Sequence, residues 1–232
     1  MSAAAVTAGR LARLPVARAR ALRAYGDELL AGDDTGLAVR LLAAAPTNEG
    51  RETELLRGWA GAAAAFGAGL AEERGAAVGP ARVEERGGGL ADSRLLLARF
   101  VSRPRPTVVL YADTLALAGE LTALLGWERL FPPGSVRAAA VAHECAHRLL
   151  HEPAVRRGLK EALGHRVFSA GRLRVLGHVA GADEVAAHAY AQRLQGLERG
   201  PLLLTAALAR AVAMTGLQGP TSEKSRGPRW ES

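Results

Sequence analysis

The spacing of apolar residues along the chain is mostly that of helices that bury one face. Leucines and alanines form helical stripes before residue 80, where the longest predicted helix covers about residues 48–74. A further helix is predicted from Leu95 to Phe100. Caps, glycines and prolines predict the remaining helices at about 113–126, 135–152, 154–163, 183–195 and 201–215. Asp113 or Thr114 is predicted to cap the first of these helices, and Ser135 to cap the second.

Two short segments have the composition of strands. Residues 107–111, Thr-Val-Val-Leu-Tyr, are apolar and β-branched and follow two prolines that break helicity, which predicts a strand. Val83 is expected in another short strand, before a turn formed by the three glycines at 87–89. Many helices and few strands make the predicted fold class α+β and mostly helical, with a small sheet.

The length of 232 residues fits one compact domain, or a core with an extension. Changes in composition divide the chain into a helical N-terminal extension at 1–80 and a second part at 81–217, where the candidate chemistry lies. The remaining residues, 218–232, are rich in glycine, proline, serine and charge, and we expect them to form a disordered tail.

The net charge of +7 raises the question of a nucleic-acid partner, but the distribution of that charge argues against one. All but two of the 30 basic residues are arginines, and they are scattered among acidic residues instead of forming a patch. No apolar run reaches the roughly 18 residues of a membrane span, and the N-terminus lacks the apolar stretch of a secretory signal. We therefore expect a cytoplasmic protein that binds neither a membrane nor a specific nucleic acid. The sequence leaves its oligomeric state open.

The motif that carries chemistry is His-Glu-Cys-Ala-His at residues 143–147, in the middle of a predicted helix. His143 and His147 are four residues apart, so their imidazoles leave one helix face on successive turns and can bind one metal ion. Glu144 is displaced by about 100° around the helix, which puts its carboxylate beside the ion. From there it can take a proton from water on Zn²⁺, the metal and the role that this motif implies.

A purely structural role for the motif is the alternative. Both histidines could be satisfied by hydrogen bonds in the core, with Glu144 paired to Arg148 one turn later. Cys145, the only cysteine of the chain, points away from the metal-binding face, and packing is the expected role of its thiol. The small apolar residues at 138–142 favour the metal site, because they allow this helix to lie buried beneath it.

Zinc needs a third protein ligand and an open fourth position. The downstream candidates are His151, His165, His178, Asp183, Glu184 and His188. His151 stands one turn beyond His147, and residues on three successive turns that rise about 5.4 Å each cannot all lie about 2.1 Å from one ion, so His151 is expected at the rim of the site or in solvent. Glu184 is better placed, in the first turn of a later helix. His188 is on the same helix face and could orient a ligand or bind the oxyanion.

These two helices resemble those of the gluzincin branch of the zincin metallopeptidases, and within it those of the small ImmA/IrrE-type peptidases. Residues 143–151 are similar to the active-site helix of that family. Residues 184–191 are similar to its second helix, in which the ligand glutamate precedes an aromatic–alanine pair by six residues. This register implies Glu184, and not Asp183, as the third ligand. His188 departs from the family, which has Asp or Asn at that position.

The same resemblance makes residues 107–111 the edge strand that pairs with an extended peptide substrate. Tyr111 and Tyr190 are candidates for donating a proton or stabilising the oxyanion, or else ordinary core or rim aromatics. The predicted function is hydrolysis of a peptide or protein substrate, with Zn²⁺ held by the two motif histidines and Glu184, and with Glu144 as general base. Two alternatives stay open. One is a catalytically silent zincin-fold regulatory or binding protein that keeps a structural zinc, and the other is a basic protein associated with nucleic acid.

Overall fold

A computed structural model describes residues 9–75, 82–90, 95–170 and 173–215. The α-helices within these residues are α1 Val16–Ala31, α2 Asp34–Ala43, α3 Thr53–Arg74, α4 Ala112–Leu125, α5 Ser135–Leu150, α6 Pro153–Leu163, α7 Ala182–Gln195 and α8 Pro201–Thr215. The strands are β1 Val83–Arg86, β2 Ala98–Val101, β3 Thr107–Tyr111, β4 Arg166–Ala170 and β5 Leu173–Leu176. Short 3₁₀ turns cover Leu11–Arg13 and Pro46–Asn48. The predicted tail at 218–232 lies outside the described residues.

The described part of the chain is mostly helical and has a small sheet, which confirms the predicted fold class at this level. The strand order in the sheet is β1-β3-β2, with β3 in the centre, parallel to β1 and antiparallel to β2. The predicted strand at 107–111 is therefore present as β3, and its first four residues are buried. β4 and β5 form a separate antiparallel pair.

Two predictions about this sheet are wrong. The segment from Leu95 to Phe100 does not form a helix, because Ala98–Val101 pairs as a strand with β3. Pairing with another segment has overridden the local pattern of the leucines. The strand at 107–111 is not an edge strand either, because it has a neighbour on each side. Among the described residues, β1 and β2 form the two edges of the sheet.

The predicted caps of two helices are also wrong. Asp113 lies inside the first turn of α4, and its carboxylate accepts hydrogen bonds from the N–H groups of Gly88 and Gly89, 3.1 Å each. Ser135 is the first residue of α5 and makes no side-chain cap. The residue before it, Gly134, turns the chain into the helix with φ of 83°, a value that favours glycine. The hydrogen bonds of Asp113 thus link the turn after β1 to α4 and do not cap the helix.

Helices α3, α5 and α7 share a core in which half of the buried residues are alanines, and we term it the alanine-rich core. Gly67 of α3 lies directly against the backbone of α7, because a Cβ atom at this position would overlap the carbonyl oxygen of Ala186. The two helices therefore meet backbone to backbone. Such close approach requires small residues on both surfaces.

A second core joins α1, α4 and α8, and leucine is its most frequent buried residue, so we term it the leucine-rich core. Both cores draw on residues before and after residue 80. The division into parts 1–80 and 81–217 thus stays a prediction about domain organisation. Each helix within the described ranges is too short or too polar to cross a lipid bilayer.

Candidate metal centre

His143 and His147 lie on successive turns of α5 and point the same ring nitrogen toward one place. Their Nε2 atoms are 3.0 Å apart. Both side chains are largely buried, with 16% and 20% of their surfaces exposed. Cys145, between them in sequence, is buried, as the packing interpretation predicts. The helical spacing read from the sequence thus brings two nitrogen donors together.

Glu184, in the first turn of α7, completes a cluster with these two histidines. Its Oε1 atom lies 3.1 Å from Nε2 of His147, and its Oε2 atom lies 3.4 Å from Nε2 of His143. Hydrogen bonds with both imidazoles hold the pKa of Glu184 well below its ordinary value, so the carboxylate is charged at neutral pH. Burial lowers the pKa of His147, but the carboxylate of Glu184 outweighs it and leaves that pKa above its ordinary value.

The separations of 3.0, 3.1 and 3.4 Å among these donor atoms fit ligands of a single zinc ion. Two ligands that each lie about 2.1 Å from a tetrahedral ion are about 3.4 Å from each other. Two imidazoles and one carboxylate are also the donor set of a class of catalytic zinc sites, which keep a fourth position open. The residues present therefore suit Zn²⁺ both in chemistry and in spacing.

His188 follows Glu184 by one helical turn and packs against the motif. Its ring centroid is 4.5 Å from that of His143. The donor atoms of His143, Glu184 and His188 lie within 4.8 Å of one another and form a second possible donor set. The set that contains His147 has separations of 3.0–3.4 Å, which fit ligands of one ion. Among the described residues, Nδ1 of His143 and Nδ1 of His188 are buried without a hydrogen-bond partner, so no carboxylate orients the ring of His143 through its Nδ1 atom.

Glu144 points toward the sheet and contacts the backbone of its edge strand. Its Oε2 atom accepts a hydrogen bond of 2.8 Å from the N–H of Phe100 in β2. The alternative that Glu144 pairs with Arg148 is not observed, since no ion pair joins these two residues within the described ranges. Sequence reasoning missed this contact because it placed Phe100 at the end of a helix.

The cluster opens into a cavity of about 630 Å³. His143, Glu144, His147 and Glu184 line one side of this cavity, together with Asp183 and His188. The rest of the wall is mostly apolar and comes from the segment that leads into β2, from the loop before α5, from α5 and from α8. Its larger apolar side chains are Leu95, Leu96, Leu97, Phe131, Val136 and Leu204. Nothing in the local sequence pattern marks these residues as neighbours, because they come from four separate segments.

The remaining predicted site residues lie away from this cavity. Tyr190 is buried in the alanine-rich core, where its hydroxyl has no hydrogen-bond partner among the described residues. Tyr111 ends β3 and does not line the cavity. His151 directly follows α5 and is exposed, as predicted, and it lines a smaller cavity of about 270 Å³ together with His147 and His178. The structure therefore brings the motif, Glu184 and His188 together in this cavity. Tyr111, Tyr190 and His151 do not line it.

Compared with known protein families, with curated proteins and with solved structures, the chain shows no match. The geometry of the site and the sequence motif within it are therefore the features that indicate a function.

Proposed function

We propose that this protein is a zinc-dependent peptidase of the zincin type. The observation that carries the proposal is the convergence of three donor atoms, 3.0–3.4 Å apart, with Glu144 in the wall of the same cavity. His143, His147 and Glu184 would hold the metal. A zinc ion bound there would supply Lewis acidity, which polarises a carbonyl group and acidifies water.

The residues of the chain would divide the remaining work. Glu144 takes a proton from the attacking water through its carboxylate and then gives that proton to the leaving amine. Its position next to His143 in sequence and its place in the cavity wall support this role. The apolar residues of the cavity exclude water and offer a binding surface for an apolar side chain of the substrate.

The corrected sheet topology supports a docking mode for the peptide. The sheet edge near the motif is that of β2, since Phe100 contacts Glu144 there and Leu97, Ala98 and Arg99 line the cavity. An extended peptide can add to such an edge as a further strand through backbone hydrogen bonds. β2 therefore replaces residues 107–111 as the strand that we propose to hold the substrate.

Metal content tests the first half of the proposal. We expect purified protein to hold one zinc ion per chain, measured by inductively coupled plasma mass spectrometry. Glu184→Ala should lose this stoichiometric metal, whereas Glu161→Ala, an exposed glutamate on α6, should retain it. Equal zinc content in wild type and Glu184→Ala would contradict the proposed ligand set.

Peptide hydrolysis tests the second half. Against a broad peptide library, Glu144→Gln should keep its zinc and lose about 10²–10⁴-fold in turnover, because it lacks the base. Glu161→Gln provides the matched control and should turn over like wild type. Wild-type turnover by Glu144→Gln would remove the assigned role. A wild-type protein that is loaded with zinc but cleaves nothing would instead be the silent zincin-fold binding protein.

A further inference from the structure

The hydrogen bond between β2 and the motif points to a second role for the edge strand, one that rests on the proposed function. We infer that the N–H of Phe100 is the positioning group for Glu144. The N–H fixes one carboxylate oxygen, Oε2, and leaves the other oxygen, Oε1, to handle the proton. A backbone group of the substrate-binding strand thus sets the orientation of the base.

The direction of this N–H follows from the pairing of β2 with β3. The N–H of Tyr111 donates to the carbonyl oxygen of Leu97 at 3.0 Å, so Leu97 directs its backbone groups toward β3. Backbone groups alternate in direction along a strand, so those of Ala98 and Phe100 point away from β3, toward the free edge. The N–H of Phe100 meets Glu144 on this side of β2. The backbone groups of Ala98, two residues earlier, point in the same direction.

The donor is held firmly relative to the helix that carries Glu144. Val108 and Leu110 are fully buried in β3, the strand that pairs with β2. Phe100 packs against the small cluster that these two residues form with Ala98 and with Ala140 of α5. Sheet pairing and side-chain packing therefore fix the distance between the N–H of Phe100 and α5.

The base gains orientation from a contact with an uncharged group. A glutamate side chain has several rotatable bonds, and proton transfer requires its oxygen within hydrogen-bond reach of the reacting group. The N–H of Phe100 carries no net charge, and no arginine or lysine within the described ranges forms an ion pair with Glu144. The contact therefore orients the carboxylate without placing a positive charge beside it.

A pair of substitutions at position 100 isolates the N–H group. Phe100→Ala and Phe100→Pro both lose the ring, but only the proline variant loses the donor, and an outward-facing position on an edge strand tolerates proline. We expect kcat of Phe100→Pro to be about 10–100-fold below that of Phe100→Ala, with similar KM and zinc content. Ala98→Pro, which removes the other outward N–H, should instead raise KM and lower kcat much less than Phe100→Pro does.

Equal kcat for the proline and alanine variants at position 100 would refute the positioning role while leaving the proposed peptidase intact. A wild-type protein that hydrolyses no peptide would refute both. An equal loss of kcat in Phe100→Pro and Ala98→Pro would also count against the role, since it would assign the effect to general damage of β2.

Amide hydrogen exchange tests the same contact without catalysis and without a proline in the strand. In the zinc-loaded protein the amide of Phe100 should exchange more slowly than that of Ala98. In Glu144→Ala the exchange of the Phe100 amide should accelerate about tenfold or more, because its acceptor is gone, while Ala98 is unchanged. Unchanged protection of the Phe100 amide in Glu144→Ala would show that Glu144 is not its partner.

Discussion

Helices α3 and α7 in the alanine-rich core meet backbone to backbone at Gly67, whereas α4 and α8 in the leucine-rich core are held apart by large buried side chains such as Leu121 and Leu208. The cavity lies where the two cores meet, since Ala139 of its wall belongs to the first and Leu204 to the second. The close packing of α3 against α7 thus positions the helix that carries Glu184. Large side chains of the leucine-rich core shape the opposite wall of the cavity. The two cores should therefore respond differently to substitution.

The largest expected loss of stability is in the leucine-rich core. Leu208→Ala removes a fully buried side chain and should lower the free energy of unfolding by about 2–5 kcal/mol, measured by urea denaturation. The dissociation constant for zinc should stay within about twofold of wild type, because the altered site is separate from the donors. A large loss of zinc affinity in Leu208→Ala would mean that packing in the leucine-rich core also controls the position of the metal ligands.

The corresponding change in the alanine-rich core should affect both properties. Gly67→Ala places a methyl group against the backbone of Ala186, which cannot move aside as a flexible side chain can. We expect a loss of about 3 kcal/mol in the free energy of unfolding and weaker zinc binding, because α7 carries Glu184.

Gly69→Ala is the matched control for this substitution, because a Cβ atom there meets nothing within 4 Å. The same change two residues further along α3 should stabilise the protein by about 0.5–1 kcal/mol. Equal effects at positions 67 and 69 would contradict the close approach of α3 and α7.

Zinc itself should sharpen the difference between the cores. At a free concentration 100-fold above its dissociation constant, it should stabilise the native state by about 2.7 kcal/mol, seen as a rise in Tm that a chelator reverses. Hydrogen exchange should slow mainly in α5 and α7 and less in α8. Glu184→Ala should show neither effect. Equal slowing of hydrogen exchange in all helices would contradict this expectation, because it would mean that zinc stabilises the whole protein and not mainly the helices that carry the ligands.

A smaller loss is expected at Asn48, which links the N-terminal helices to the segment before α7. Its side-chain amide is buried and donates to the carbonyl oxygens of Leu42 at 2.9 Å and of Ala180 at 3.0 Å. Asn48→Ala should cost on the order of 1–2 kcal/mol in thermal or urea unfolding. Thr47→Ala changes an exposed neighbour and should stay within about 0.5 kcal/mol of wild type.

Local sequence was sufficient for the parts of the site that lie within one element. The motif on α5 and the strand at 107–111 have patterns that operate over a few residues, and both elements are present. Glu184 and Asp183 are adjacent in the first turn of α7, and only the register of the family resemblance distinguished them in the sequence. In the structure it is Glu184 that reaches both histidines.

Contacts between distant segments were beyond such reasoning. The three leucines at 95–97 suggested a helix, and only pairing with β3 makes the next residues a strand. The contact of Phe100 with Glu144 therefore could not be anticipated. The role of Gly67 was hidden for a similar reason, because its partner, Ala186, is more than 100 residues later in the chain.

The order of the helices along the chain also has a consequence for biosynthesis. The donor residues lie on α5 and α7, and α7 is held in place by α3, so the centre joins segments from both halves of the polypeptide. A nascent chain emerging from a ribosome would expose α3 before α7, which carries Glu184, has been translated. Zinc should therefore be captured only after synthesis of α7, at a late step that depends on the docking of elements distant in sequence.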